Sequence, residues 1–357
     1  MAMVLEKPVL DMQSYLNHLT LAELDGDLYG NPQLAPNPKL SVCIISYKHA
    51  DYIATCLESI ISQQVNFDFE IILGEDHSPD ETPRIIKQYA DAHPHRIKAF
   101  LRPRNVGAKR NFLHCFLQAR GEFIVYIEGD DYWTDGQKLQ KQVDFLEQHP
   151  EASACFHNAE IVYEDGSGRA NELINSPEQP MWTQTKDFFK EKETWFMATA
   201  SVMMRRKWVH PLPAWFLNCK SGDIPMYVIL SEKGPIGYLP ETMSVYRKNL
   251  GGQSFTDSTQ SKDFLLNRIF MYATLNTYTN HAFQHLIHPI LSDYHELLIH
   301  CREYQGNILR QLIHFYWAYH YRPSQSFKLL LKKNLISPQL MMRYGKMRTK
   351  LNHWVKR

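Results

Sequence analysis

Gly121–Trp133 reads GEFIVYIEGDDYW, an apolar run followed at once by acid. Phe123–Ile127 has the β-branched, near-continuous apolar character of a strand buried on both faces. Glu128, Asp130 and Asp131 come next, and Gly129 between them gives the backbone freedom to turn, so that the carboxylates can converge at the strand's carboxyl end. Carboxylates held together repel one another and lose solvation, so a cluster at the edge of a core calls for a cation. Oxygen ligands suit magnesium or manganese, and nothing nearby supplies the Cys/His set that zinc prefers. Taken alone, the same letters also describe a solvated acidic turn. The flanking sequence decides between the two.

Upstream, apolar runs alternate with helical patterns. LSVCIIS from Leu40 reads as a buried strand, and YKHADYIATCLESIISQ as an amphipathic helix with Ile53, Leu57, Ile60 and Ile61 on one face. FEIILG is a second strand. It ends in EDHSPDET, where Ser78 or Asp80 can cap the next helix and Pro83 suits its first turn. Ile97–Leu101 is a third strand, Asn105–Gly107 a turn, and Lys109–Ala119 a helix leading into the central strand. This alternation predicts an α/β fold with a mostly parallel sheet, covered by helices and joined by right-handed crossovers. Ligands of such sheets sit at the strands' carboxyl ends, where the acidic segments fall.

Downstream, LQKQVDFLEQHPEASACFHNAEIVYEDGSG predicts a helix, a strand and a hairpin turn. Its Gly166-Ser167-Gly168 is not a dinucleotide fingerprint, because Asn171 stands where the third glycine is needed. Phe196–Met204 is a further apolar run. A helix opens at Ser221-Gly222-Asp223 and runs through Leu230, two short strands cover Ile236–Leu239 and Met243–Tyr246, and Arg247 leads into the glycine-rich KNLGGQS. From about Lys262 the pattern is helical.

The 357 residues carry 39 Lys or Arg and 38 Asp or Glu, a balance that excludes no class of partner. The charge is nevertheless uneven: after Glu303, 54 positions hold eleven Lys or Arg and no acid. The six cysteines are far apart and lack any C-x-x-C pair, as expected of buried thiols in a reducing compartment. The first residues, MAMVLEKPVLDMQSYL, put acids where a signal peptide has an apolar block, and no run reaches the length of a membrane span. The expectation is a cytoplasmic protein with an extension and proline-rich linker over residues 1–38, which includes an amphipathic helix around Asp11–Leu24. An α/β domain over 39–258 and a helical, basic region over 259–357 follow.

In order along roughly Lys39–Ser254, these segments resemble a family 2 glycosyltransferase of the GT-A fold. The opening strand and helix are similar to that family's, EDHSPDET to its Asp-Asp-x-Ser-x-Asp-x-Thr segment, Asn105–Asn111 to its N-x-G-x-x-R-N turn, and EGDDYW to its Asp-x-Asp metal motif. Glu75 and Glu128 depart from the family's usual Asp, keeping the charge while moving the carboxylate by one methylene. The Gln-x-x-Arg-Trp signature of processive members is absent, which implies one sugar per encounter.

The resemblance implies a Rossmann-like nucleotide-sugar-binding domain and a nucleoside-diphosphate sugar donor, UDP- or dTDP-linked. Ser46, Tyr47, Glu75 and Asp76 would border the base, whose imide N–H a carboxylate can accept. Lys109 and Arg110 would contact the nucleotide and Glu128 the ribose. Asp130, supported by Asp131, would hold Mg2+ or Mn2+ against the diphosphate. Asp223 resembles the family's catalytic base, and also fits a helix N-cap. Arg247 would fold over the diphosphate, or else be a solvated rim charge. Tyr132 and Trp133 would line the acceptor site or be buried. His77, His114 and His157 read as ordinary polar or core histidines.

The helix expected from Ser326, SFKLLLKKNLI, is basic and amphipathic; it either lies on an anionic membrane surface or packs on the protein. No nucleic-acid-binding pattern accompanies the charge. The resulting expectation is an inverting transferase that adds a sugar to a glycan or lipid-linked acceptor in surface polysaccharide synthesis, cytoplasmic or peripheral on the inner membrane face. The competing readings are a sugar-nucleotide pyrophosphorylase, whose glycine-rich basic signature loop SYKHADY does not match, and a non-catalytic glycan-binding scaffold.

Overall fold

The computed structural model of the chain describes residues 26–190, 195–249 and 261–323. The expected Asp11–Leu24 helix, the glycine-rich loop at 250–254 and the basic helix from Ser326 lie outside the described residues. The chain divides into two compact units, Met1–Phe188 with Glu193–Asp257, and Phe189–Lys192 with Ser258–Arg357.

The first unit is built from β1 (Asp27–Leu28), β2 (Leu40–Ser46), α1 (Ile53–Ile61), β3 (Phe69–Glu75), α2 (Thr82–Ala92), β4 (Ile97–Leu101), α3 (Ala108–Gln118) and β5 (Phe123–Glu128). Then come β6 (Tyr132–Trp133), α4 (Lys138–Gln148), β7 (Ala154–Glu164), β8 (Glu172–Leu173), β9 (Trp182–Thr183), β10 (Met203–Arg205), α5 (Arg206–Val209), α6 (Asp223–Ser231) and β11 (Ile236–Asn249). One sheet runs in the order β1-β4-β3-β2-β5-β10-β7-β11-β6, with β8 on β7 and β9 on β11.

The expected parallel run is the centre of this sheet: β4, β3, β2 and β5 are parallel neighbours, joined by helices. The sheet as a whole is mixed. β10 inserts antiparallel between β5 and β7, and β7 and β11 form a second parallel pair. The short antiparallel additions carry few residues each, too little for a periodicity to register in the sequence. All seven residues of β2 and of β3 are buried, as strands covered on both faces must be. Their inward side chains pack with Ile53, Leu57 and Ile60 of α1 and with Ile86 of α2 in one core.

Two local expectations change. Residues 236–249 form a single strand with register shifts between Leu239 and Ser244, where two separate strands were expected; Pro240 interrupts the apolar pattern without ending the strand. The N-cap of α2 is Glu81, which makes no side-chain cap bond. Asp80 instead accepts the Thr82 amide on one oxygen and the Ala50 amide on the other. The GSG turn is as expected, with Gly166 and Gly168 both at left-handed φ beside the β7–β8 hairpin. All six cysteines are buried thiols, none of them in a disulfide.

The second unit contains α7 (Lys262–Tyr278), α8 (Gln284–His300) and α9 (Ile308–Tyr321). Leu265 packs with Leu298, Cys301 and Tyr304, and Ile299 with Phe315 and Ala318. Ser261 and Asn307 cap α7 and α9 through their side chains. No helix among the described residues is long and apolar enough to cross a membrane.

The parallel centre brings backbone close to backbone at Gly121, at the entry to β5. A Cβ there would lie 2.5 Å from the Ser41 nitrogen and 2.6 Å from the Leu40 carbonyl carbon. Gly121→Ala should therefore lower stability by about 1–3 kcal/mol. Gly136→Ala, whose Cβ meets nothing within 4 Å, should stay within about 0.5 kcal/mol of wild type. Urea midpoints measure both, and equal midpoints would contradict the assignment.

Candidate active site

The carboxyl ends of β2, β3 and β5 lie side by side because these strands are parallel neighbours in register, Ser46 beside Glu75 and Ile45 beside Glu128. Three loops therefore emerge at one edge. They are laced together: Lys48 N–H donates to Ser78 Oγ at 2.9 Å, His49 N–H to Thr82 Oγ1 at 2.9 Å and the Gly129 amide to the Ile45 carbonyl at 3.0 Å. Ser78, Asp80 and Thr82 are thus loop fasteners. Lys48 and His77 both adopt left-handed φ, a strain of the kind that concentrates at functional sites.

Glu75 and Asp76, expected at the base, are both buried and already engaged. Glu75 accepts the amides of Ser78 at 2.8 Å and His77 at 3.1 Å. Asp76 accepts the Val106 amide at 2.7 Å on one oxygen and the Gly107 amide at 2.9 Å on the other, joining the β3 and β4 loops. Burial pushes both acids up, and these amides pull them back. Ser46 is buried and Tyr47 exposed. Arg110 lies half-buried in the first turn of α3.

The acidic turn itself is crowded. Burial first, then the charges of Asp130 and Asp223, push Glu128 up to about 8. Asp131 is also pushed well up, by burial and by Asp130 and Glu128, although the Arg247 amide donates to its Oδ1 at 2.9 Å. Glu128, Asp130, Asp131 and Asp223 therefore share one electrostatic neighbourhood. Asp223 occupies the first residue of α6, with Gly222 at the N-cap. Lys109 points to the same place: its Nζ would be 3.3 Å from a Cβ on Gly222 and lies 4.5 Å from the Phe216 ring. Burial lowers Lys109, and Cys219 and Asp223 oppose that shift.

Gly129 acts differently from the expectation. It has no left-handed φ; a Cβ there would meet His49 Nδ1 at 2.8 Å, Ile53 Cδ1 at 3.0 Å and Ser46 Oγ at 3.1 Å, so the requirement is close packing. His49 Nδ1, Ser46 Oγ and Asp131 Oδ2 are buried with no hydrogen-bond partner among the described residues. Partnerless polar atoms beside carboxylates that resist ionisation fit a site completed by a cation and its ligand. No group of three or more His, Cys, Asp or Glu among the described residues forms a closed metal cage. The donors instead fit a hard ion held by one or two carboxylates, with other oxygens from a bound diphosphate.

Arg247 lies inside β11. Its Nη1 donates to the Asp130 carbonyl at 2.7 Å, its Nε to Glu164 at 3.1 Å, and its guanidinium lies over Tyr132 at 4.4 Å and Tyr52 at 5.1 Å. It is a packed, paired cation and not a solvated rim charge. Trp133 is buried in the core and donates Nε1–H to the Ala200 carbonyl, so it does not line an acceptor site. His114 and His157 are buried, and burial lowers both.

Two residues escaped the sequence reading. Asn249 donates to Asp130 Oδ2 at 3.1 Å, and His49 Nε2 lies 3.9 Å from the same oxygen. Asn249 follows Arg247 by two in a strand and so shares its face, a signal that was present. His49 carried none beyond its nearness to the end of the first strand.

A raised carboxyl binds its proton more tightly in the folded chain than in the unfolded one. Glu128 therefore favours folding fully below about pH 4.5, and that contribution is lost as pH rises to about 8. Chelator-treated protein should lose stability across this window by denaturant titration, and Glu128→Gln should shallow the slope, leaving the part due to Asp131. A flat wild-type profile would contradict this electrostatic account.

Comparison with known proteins follows the same lines. The pattern of glycosyl transferase family 2 matches residues 41–212. An uncharacterized protein of Mycobacterium tuberculosis (strain ATCC 25618 / H37Rv) is 37% identical over 224 residues, 61% of this chain and 62% of its own length. EpsE of Bacillus subtilis (strain 168), which carries a glycosyltransferase name, is 29% identical over 66% of this chain and 81% of its own. The crystal structure of S. aureus TarS 1-349 in complex with UDP-GlcNAc superposes with a TM-score of 0.54 at 17% identity, covering 79% of this chain and 81% of that one, which is a likeness of fold.

Proposed function

Because this chain belongs to glycosyl transferase family 2 through residues 41–212, we propose that it is an inverting, metal-dependent transferase moving one sugar from a UDP- or dTDP-linked donor to a hydroxyl of a glycan or lipid-linked acceptor. The observation that carries the reading is the joint electrostatic neighbourhood of Glu128, Asp130, Asp131 and Asp223 at the end of β5. Relatives lend support to a role in surface polysaccharide synthesis: the Bacillus subtilis minor teichoic acid biosynthesis protein GgaB is 26% identical over 61% of this chain.

In this mechanism the base rests against the laced loops after β2 and β3, with Ser46, Tyr47, Glu75 and Asp76 around it. Lys109 and Arg110 add positive charge to the nucleotide, and Glu128 reaches the ribose. Asp130, oriented by Asn249, would hold a magnesium or manganese ion with Asp131 in support, and that ion would supply positive charge to the departing diphosphate. Asp223 accepts the proton of the acceptor hydroxyl as its oxygen bonds to the anomeric carbon. The bond from that carbon to the diphosphate breaks on the opposite face, which inverts the configuration. Arg247 is available to the diphosphate once it exchanges Glu164 for phosphate oxygens. The acceptor is met in the cytoplasm, at the inner membrane face.

Manganese-dependent release of UDP from a sugar nucleotide should vanish in Asp130→Ala. Asp223→Asn should lower transfer by about 10²–10⁴-fold while the donor still binds. A thermal-shift panel of sugar nucleotides with manganese identifies the donor, since a ligand at about 100 times its Kd adds about 2.7 kcal/mol of stability. No nucleotide binding under any metal would overturn the proposal in favour of a non-catalytic scaffold.

A further inference from the structure

Among the described residues of the second unit, one helix face is exposed. In α9, Phe315 and Ala318 are buried, while Leu309 is 70% exposed, Ile308 68% and Tyr316 58%, with Leu312, Ile313 and Trp317 also exposed. Positions 309, 312, 313, 316 and 317 recur at three- and four-residue spacing, so they form one stripe along one side of the helix. Six large apolar side chains facing solvent on a single 14-residue helix form a contiguous patch, unlike scattered exposed residues.

The sequence from this helix onward is one-sided in charge. From Tyr304 to the end of the chain there is no Asp or Glu, and eleven Lys or Arg include Arg310 on the helix and Arg322 at its end. Arg322 pairs with Asp293 of α8 at 3.0 Å, which fastens the end of α9 to its own unit. A second copy of the chain would bring like charge against like charge with no acid from these 54 residues to neutralise it. An anionic lipid surface answers both features, since it accepts aliphatic side chains below its headgroups, Trp and Tyr among them, and basic residues against them.

We propose that the Leu309–Trp317 stripe of α9 is a membrane-docking surface, bedding into the headgroup boundary of an anionic bilayer. The inference deepens the reading that the acceptor is met at a membrane face and rests on it for purpose alone, because vesicle binding needs no catalysis.

The test uses the full chain with vesicles of phosphatidylcholine alone and of phosphatidylcholine mixed with phosphatidylglycerol. Cosedimentation should occur with the mixed vesicles, weaken with added salt, and fall at least about tenfold in Leu309→Gln/Leu312→Gln, with donor hydrolysis unchanged. Ile308→Gln/Leu309→Gln, at the two most exposed positions, should behave in the same way and guards against a folding defect in the first variant. Bromine-labelled lipid should quench tryptophan emission less in Trp317→Phe than in wild type. Binding that both double variants retain would assign the contact to the chain beyond residue 323 and overturn the proposal, as would a wild-type dimer that these variants convert to monomer. Vesicle binding by a chain that neither binds nor hydrolyses a sugar nucleotide would uphold the docking surface and sink the transferase reading.

Discussion

Four carboxylates share the end of one buried strand, and nearly everything around them makes sense as a response to that repulsion. Glu128 and Asp131 resist ionisation because burial and their neighbours disfavour charge. Among the described residues, the positive charges within reach are already committed: Arg247 to the Asp130 carbonyl and Glu164, and Lys109 to the surroundings of Phe216 and Gly222. An arrangement kept short of compensation in the free protein is set up to bind a ligand that brings cations with it.

The parallel centre of the sheet makes this crowding possible. Register between β2, β3 and β5 fixes three loop origins within adjacent strand spacings, and hydrogen bonds across the loops remove their remaining freedom. Asp76 extends the same wall to the loop after β4 by gripping two successive amides. The particular side chains at its edge belong to this chain.

Much of that framework could be read in the letters. β2, β3 and β5 are long apolar runs with acid or polar ends, and α1 shows its buried face as Ile53, Leu57 and Ile60, so periodicity and burial agree. What stayed hidden was set by tertiary context. β10 is three residues long and inserts antiparallel because of where the chain returns, which no local pattern encodes. The role of Gly129 depends on Ser46, His49 and Ile53, residues some eighty positions away, and so looked like a turn. The N–H donors to Glu75 and Asp76 come from backbone, which has no letter.

The register shifts in β11 carry one more implication. Between Leu239 and Ser244 the strand advances five residues while its partner β7 advances only from His157 to Ala159. The three surplus residues reverse the phase of side-chain alternation relative to β7, and they do so just upstream of Arg247 and Asn249. Removing or adding one residue in this short span would turn that pair outward and present Tyr246 and Lys248 to Asp130 instead. The chain length between the two halves of β11 is therefore as much a part of the site as any of its side chains.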